Sequence, residues 1–178
     1  MLDLKMIGDG ITAARGVVGL IIAWLAVAQG ARALPAVGLL LLLDWTGDFV
    51  DGTIAHQSRQ PRRTRIGDSD VYIDLLVSVC LGFYLVATGF ISVPIGWMYF
   101  VGWILIFWRF GKEKNLLMLM QAPIYLTFIL MALRLNSEVG IWLIAWIVIA
   151  TIINWRRFTR DVVPKFINGM MSLWRGRE

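Results

Sequence analysis

The chain has one cysteine, Cys80, among its 178 residues, so it cannot form an internal disulfide. A lone thiol in an apolar stretch reads as a small buried hydrophobe. Acidic residues are also few, twelve in all. No basic surface interleaved with base-stacking aromatics is present, which argues against a nucleic-acid partner. No small-residue cleavage site follows the first apolar run, so no cleavable signal peptide is expected. Internal repeats and low-complexity segments are missing too. What fills the chain instead is hydrocarbon. Hydrophobic residues make up 58% and the mean hydropathy is +0.71, above the roughly 45–50% apolar content of soluble domains. The length suits one domain, 1–178, built as an all-α integral membrane protein.

Six transmembrane helices are expected, each about 20 residues long. They fall at about 11–29, 33–55, 66–90, 95–110, 116–133 and 139–155. Residues 1–10 read as a short amphipathic interfacial helix ahead of the first span. Residues 156–178 read as a basic interfacial tail, interrupted near Pro164 and Gly169 and drawn to anionic membrane lipids. Pro61 breaks the polar linker between the second and third spans, and Ser92-Val93-Pro94 marks a tight turn. The nine tryptophans read as interfacial anchors. Placing both termini, the 56–66 linker and the 109–114 loop on one side gathers 15 of the 17 Lys and Arg there, leaving Arg32 and Arg134 opposite. The positive-inside rule makes that side cytoplasmic.

The acids are not spread evenly. Six of the twelve lie between residues 44 and 74, at the cytoplasmic ends of the second and third spans. Asp44, Asp48 and Asp51 stand at i, i+4 and i+7 and share one helix face. Asp70 and Asp74 stand at i and i+4 on the next helix. Two facing helices can then point four carboxylates at one another, and such a group does not stay ionised without cations. Oxygen-only ligands suit a hard ion, Mg²⁺ or Mn²⁺. Gly52 and Ala55 leave room for close approach. Asp44 reads as an accessory group behind the ligands, and Asp68 as a loop or helix-cap residue. Arg15, one turn inside the first span, reads either as a snorkelling side chain or as a phosphate contact.

This pattern resembles the signature of the CDP-alcohol phosphotransferase family. That signature runs Asp, two residues, Asp-Gly, two residues, Ala-Arg, eight residues, Gly, three residues, Asp, three residues, Asp. Asp48, Asp51, Gly52, Ala55, Asp70 and Asp74 match it. His56 stands where the family has Arg, ten residues separate His56 from Gly67, and Gly67 precedes Asp70 by three positions. The segment Gly111-Lys112-Glu113-Lys114-Asn115 partly resembles the Gly-Lys-x-Lys-Thr stretch of bacterial phosphatidylglycerolphosphate synthases in that family, which are similar in size. Thr12 and Arg15 are similar to a Thr, two residues, Arg pattern at the start of the family's first helix.

The resemblance implies an enzyme that transfers a phosphatidyl group from CDP-diacylglycerol to an alcohol acceptor, with release of CMP, in phospholipid biosynthesis. It implies Asp48, Asp51, Asp70 and Asp74 as ligands of two Mg²⁺ or Mn²⁺ ions, and Asp74 also as the catalytic base. Thr12, Arg15, Gly52, Ala55 and His56 would bind nucleotide. Lys112 and Lys114 would meet the phosphate of an acceptor such as glycerol 3-phosphate. His offers a single, partly charged ring where Arg offers a permanent two-pronged grip, so a weaker hold on the nucleotide is expected. The resemblance further implies a bacterial-type inner membrane, a cytoplasmic active site and a homodimer. Two alternatives stand beside it. One is a catalytically weakened homologue that keeps the metal site. The other is a divalent-cation transporter, which the scarcity of polar residues in spans four to six disfavours.

Overall fold

In the computed structural model, which describes residues 4–57, 70–111, 113–164, 166–168 and 171, every regular element is helical. Helix α1 is Leu4–Ala28, and a 3₁₀ turn at Gly30–Ala33 leads into α2, Leu34–Gln57. Then follow α3 (Asp70–Ala87), α4 (Val93–Phe110), α5 (Lys114–Leu135) and α6 (Ser137–Ile153). A helical turn at Trp155–Arg157 and a wider π turn at Phe158–Val162 continue from α6.

Among the described residues, four stretches are long and apolar enough to cross a membrane: Gly10–Ala28, Gly30–Val50, Val93–Phe110 and Asn115–Leu135. The apolar parts of α3 and α6, Tyr72–Ala87 and Ser137–Ile153, are shorter. At 1.5 Å rise per residue, 17 residues in α6 reach about 25 Å, close to the lower limit for a span.

The boundaries depart from the sequence reading in identifiable ways. The separate interfacial helix at 1–10 is not separate: α1 runs unbroken from Leu4. No proline stands there to stop it, and Gly8 and Gly10 each cost only about 1 kcal/mol in a helix. The third span ends at Ala87, not Phe90, because Gly89 takes a positive φ of 75°. Its start at 66–69 lies outside the described residues. The turn at Ser92 is as expected: Ser92 is extended and Pro94 sits in the first turn of α4, where its missing N–H costs nothing. Pro123 lies inside α5, and the Thr127 hydroxyl donates to its carbonyl at 2.7 Å.

Helix α1 packs against α2 and α3, α5 against α3 and α6, and α2 against α6. Their shared core holds Ile22, Leu41, Leu81, Tyr84, Phe128 and Leu143, each at 0% exposure. Helix α4 lies outside this group, against α3. On it Trp97, Met98 and Trp108 are 67, 76 and 85% exposed. An apolar face of that kind is unstable in water and suits a hydrocarbon surround.

Small residues set the helix spacing, as is common between membrane helices. A Cβ on Gly19 would stand 3.2 Å from the Val77 Cα of α3, and backbone cannot swing aside. Gly19→Leu is therefore expected to destabilise the fold by about 1–3 kcal/mol, the usual cost of overpacking. Thermal unfolding in detergent would measure it. Gly10→Ala, where nothing lies within 4 Å of the added carbon, is expected to leave the melting temperature unchanged or slightly raised.

Candidate functional site

Asp44 and Asp48 sit one turn apart on α2, and Asp74 lies in the second turn of α3. The fold brings all three to one group, the guanidinium of Arg15 on α1. Arg15 Nε donates to Asp44 Oδ1 at 3.0 Å, and Nη1 donates to Asp48 Oδ1 at 3.1 Å. Nη2 donates to Asp74 Oδ1. Two of the acids expected to converge, Asp48 of α2 and Asp74 of α3, thus meet at Arg15. Arg15 is neither a snorkelling side chain nor directed at open solvent: its side chain is 5% exposed. Gly47 lets α2 lie close to α1 here, since a Cβ there would stand 3.3 Å from Ile11 Cγ2 and 3.4 Å from Arg15 Cγ and Cδ.

The three ion pairs are not equivalent. Asp44 is 2% exposed, Asp74 32% and Asp48 55%. Breaking a buried pair by removing one partner costs about 3–5 kcal/mol, because the remaining charge is stranded. A solvent-exposed pair contributes about 0–1 kcal/mol. Asp44 therefore holds Arg15, and Asp48 holds it least. Asp44 is thus a central partner of the cluster, a larger part than the accessory one read from sequence.

These residues line a cleft of about 250 Å³. Arg15, Asp44, Trp45, Asp48 and Asp74 form one wall, and Leu117, Met118, Gln121 and Tyr125 of α5 form the other. The residues from α5 recur at intervals of three and four, a single helix stripe. In register, Lys114 stands one turn before Leu117 and Met118 on that stripe. Neither Gln121 nor Tyr125 is among the site residues read from the sequence. The signal for both was there, in the three-and-four spacing that follows Lys114.

Two of the tryptophans, Trp45 and Trp146, belong to an aromatic cluster beside the cleft. The Trp45 ring centroid lies 5.7 Å from that of Tyr125 and 5.6 Å from that of Trp146, and Phe49 meets Trp146 at 6.3 Å. Trp146 Nε1 also donates to Thr46 Oγ1 at 3.0 Å. This cluster ties α2 to α5 and α6 and holds the turn bearing Asp44 and Asp48 in place.

The remaining candidates fall in three groups. Thr12 is buried on α1 one turn before Arg15, at 2% exposure. For Asp51, Gly52, Ala55, His56, Asp70 and Lys114 only the helical backbone is described: α2 continues through Gln57, α3 begins at Asp70 and α5 at Lys114. Asp51 keeps the register of the stripe that holds Asp44 and Asp48, and Asp70 stands one turn before Asp74. Asp68 and Lys112 lie outside the described residues.

In donor type the cluster suits a hard divalent cation, since it offers carboxylate oxygens from two facing helices. Among the described residues, no group of three or more His, Cys, Asp or Glu meets the arrangement of a metal site. The guanidinium of Arg15 stands between the carboxylates.

No family model matches the chain, and neither does any curated protein or solved structure. Fold and site alone define the class: among the described residues, an all-helical protein with four helices fit to cross a membrane and a charged cleft between α1, α2, α3 and α5.

Proposed function

We propose that the chain is a six-span, metal-dependent CDP-alcohol phosphotransferase of a bacterial-type inner membrane. It would transfer a phosphatidyl group from CDP-diacylglycerol to a small alcohol, glycerol 3-phosphate in the first instance, and release CMP. The observation that carries this reading is the convergence of Asp44, Asp48 and Asp74 on one cleft. The signature acids Asp51 and Asp70 lie one turn away along the same two helices. By the positive-inside rule, the side to which the charge count assigns most of the Lys and Arg would face the cytoplasm.

In this reading Asp48, Asp51, Asp70 and Asp74 would hold the ions. A divalent cation there would neutralise the pyrophosphate and stabilise CMP as it leaves. Asp74 takes the proton from the acceptor hydroxyl. The acceptor oxygen then bonds to the phosphorus nearest the lipid. The bond from that phosphorus to the bridging oxygen breaks, and its electron pair leaves with CMP. The cleft's volume, about 250 Å³, is below the roughly 300–1,000 Å³ that encloses a drug-sized ligand. It suits an acceptor head and a pyrophosphate, with the lipid chains outside among the helices. Lys114, one turn before Leu117 and Met118 in register, would attract an acceptor phosphate.

The test is CMP release from CDP-diacylglycerol by purified protein in detergent, with a panel of acceptors. Metal-dependent release with one acceptor is expected. Chelation by EDTA is expected to abolish it, and Mg²⁺ or Mn²⁺ to restore it.

The ion pairing itself favours a second reading: a weakened relative in which Arg15 neutralises the carboxylates for good. Such a protein would bind no divalent ion and release no CMP.

A further inference from the structure

Helix α5 is divided at Pro123, and its two halves are held unequally. Beyond Pro123, Ile124, Phe128, Ile129 and Ala132 are buried in the shared core. Before it, Met120 joins that core, while Leu116 and Leu117 are buried outside it. The first half also carries the cleft wall formed by Leu117, Met118 and Gln121. We propose that this half, residues 114–122, is a hinged wall of the charged cleft, bending at Pro123 and held in place by the Tyr99 hydroxyl of α4. The proposal stands on the geometry of α5 and goes beyond the transferase reading without resting on it.

Proline has no N–H, so the carbonyl of Leu119 loses its helical donor, and the ring crowds that carbonyl. Such a position is a usual place for a helix to bend. The Thr127 hydroxyl donates back to the Pro123 carbonyl at 2.7 Å, a contact that also bends helices. From α4, the Tyr99 hydroxyl donates to the Met120 carbonyl, on the first half and one turn before Pro123. A hydroxyl left without a partner in an apolar surround is costly, so this bond holds the wall where it stands. A packed interior resists bending because displaced side chains overlap. Here the bend has room. An apolar cavity of about 160 Å³ lies beside the hinge, between Gly82 and Val86 of α3, Ile95 and Phe100 of α4, and Pro123 and Thr127 of α5. Swinging of the wall changes the size of the cleft, whose volume of about 250 Å³ is below the roughly 300–1,000 Å³ of ligand sites. Tyr125, beyond the hinge, keeps its ring 5.7 Å from that of Trp45.

The experiment follows thiol modification of the purified full chain in detergent. The lone cysteine is first removed as Cys80→Ala. Leu117→Cys then places a thiol in the hinged wall, at a position 4% exposed. The probe is a charged, water-soluble methanethiosulfonate, whose reaction rate reads how often the wall swings clear. Ile129→Cys, at a position 8% exposed beyond the hinge, is the control. Tyr99→Phe should speed modification at position 117 by about three- to tenfold, the weight of one ordinary hydrogen bond, and leave position 129 unchanged. Pro123→Ala, which restores the missing N–H, should slow modification at position 117 by about threefold or more. Gln121→Cys, in the same wall, replaces Leu117→Cys if the melting curve shows that variant unfolded. An unchanged or slower rate at position 117 in Tyr99→Phe would overturn the latch. An equal rise at position 129 would mean general loosening and would overturn it too. A rate in Pro123→Ala as fast as in the parent would overturn the hinge. Each of these outcomes leaves the transferase reading standing, since that reading is tested by CMP release.

Discussion

Asp74→Asn is expected to lower CMP release by about 10²–10⁴-fold, the usual contribution of a positioned general base. The substitution is nearly isosteric, and the carbonyl oxygen of the new side-chain amide would still accept from Arg15 Nη2, as Asp74 Oδ1 does now. The fold should therefore survive with its helix content and melting temperature near those of the wild type. The measurement is the initial rate of CMP release at saturating donor and acceptor, with unfolding followed in parallel. A fall in kcat with a nearly constant KM for the acceptor is the pattern of a group that acts only in the transition state. A loss of rate no greater than a few fold would remove Asp74 from the chemistry and leave it as an ion-pair partner only.

Arg15→Ala should produce the largest change in stability. It strands Asp44, a carboxylate at 2% exposure, with no counter-charge. The expected cost is about 3–5 kcal/mol, which for a chain of this length corresponds to a fall of order 10 °C in melting temperature. The comparison that isolates the cause is a pair of double-mutant cycles. Coupling between Arg15 and Asp44 should reach about 2 kcal/mol or more, whereas that between Arg15 and Asp48 should stay near the 0–1 kcal/mol of exposed pairs. Replacing the buried pair together, as Arg15→Met with Asp44→Leu, should recover much of the loss, because the buried charge goes with its partner. Equal couplings at both acids would mean that burial does not rank the pairs, and the anchoring role of Asp44 would fall with it.

How much of this was legible in the residues follows from the range of each interaction. The helices were, because their cause is local. Apolar runs such as residues 39–43 and stops such as Gly89 and Pro94 act within a turn or two, so observed ends fell within a few residues of the expected ones. The shared face of Asp44 and Asp48 was legible for the same reason, since a separation of four is one helical turn. The N-terminal boundary was not, because amphipathic composition marks where a helix meets an interface and does not break it; Leu4–Ala28 stays one helix. The contact of Trp45 with Trp146 across α2 and α6 was not legible either, because composition does not say which ring a tryptophan will meet.

By itself, then, the sequence determined an all-helical, membrane-suited chain with its acids gathered at the adjoining ends of two helices. Periodicity and hydropathy are properties of neighbours along the chain, and they require no knowledge of what packs against what. Only the tertiary structure decided that Arg15 stands among those acids, that Asp44 is its buried partner, and that Gln121 and Tyr125 of α5 close the far wall of the cleft. Arg15 lies 29, 33 and 59 residues from Asp44, Asp48 and Asp74. A charge near a helix start carries no mark of which distant carboxylate it will meet. That choice is made by the spacing of α1 against α2 and α3, which Gly19 and Gly47 allow to be close enough for one guanidinium to reach both helices.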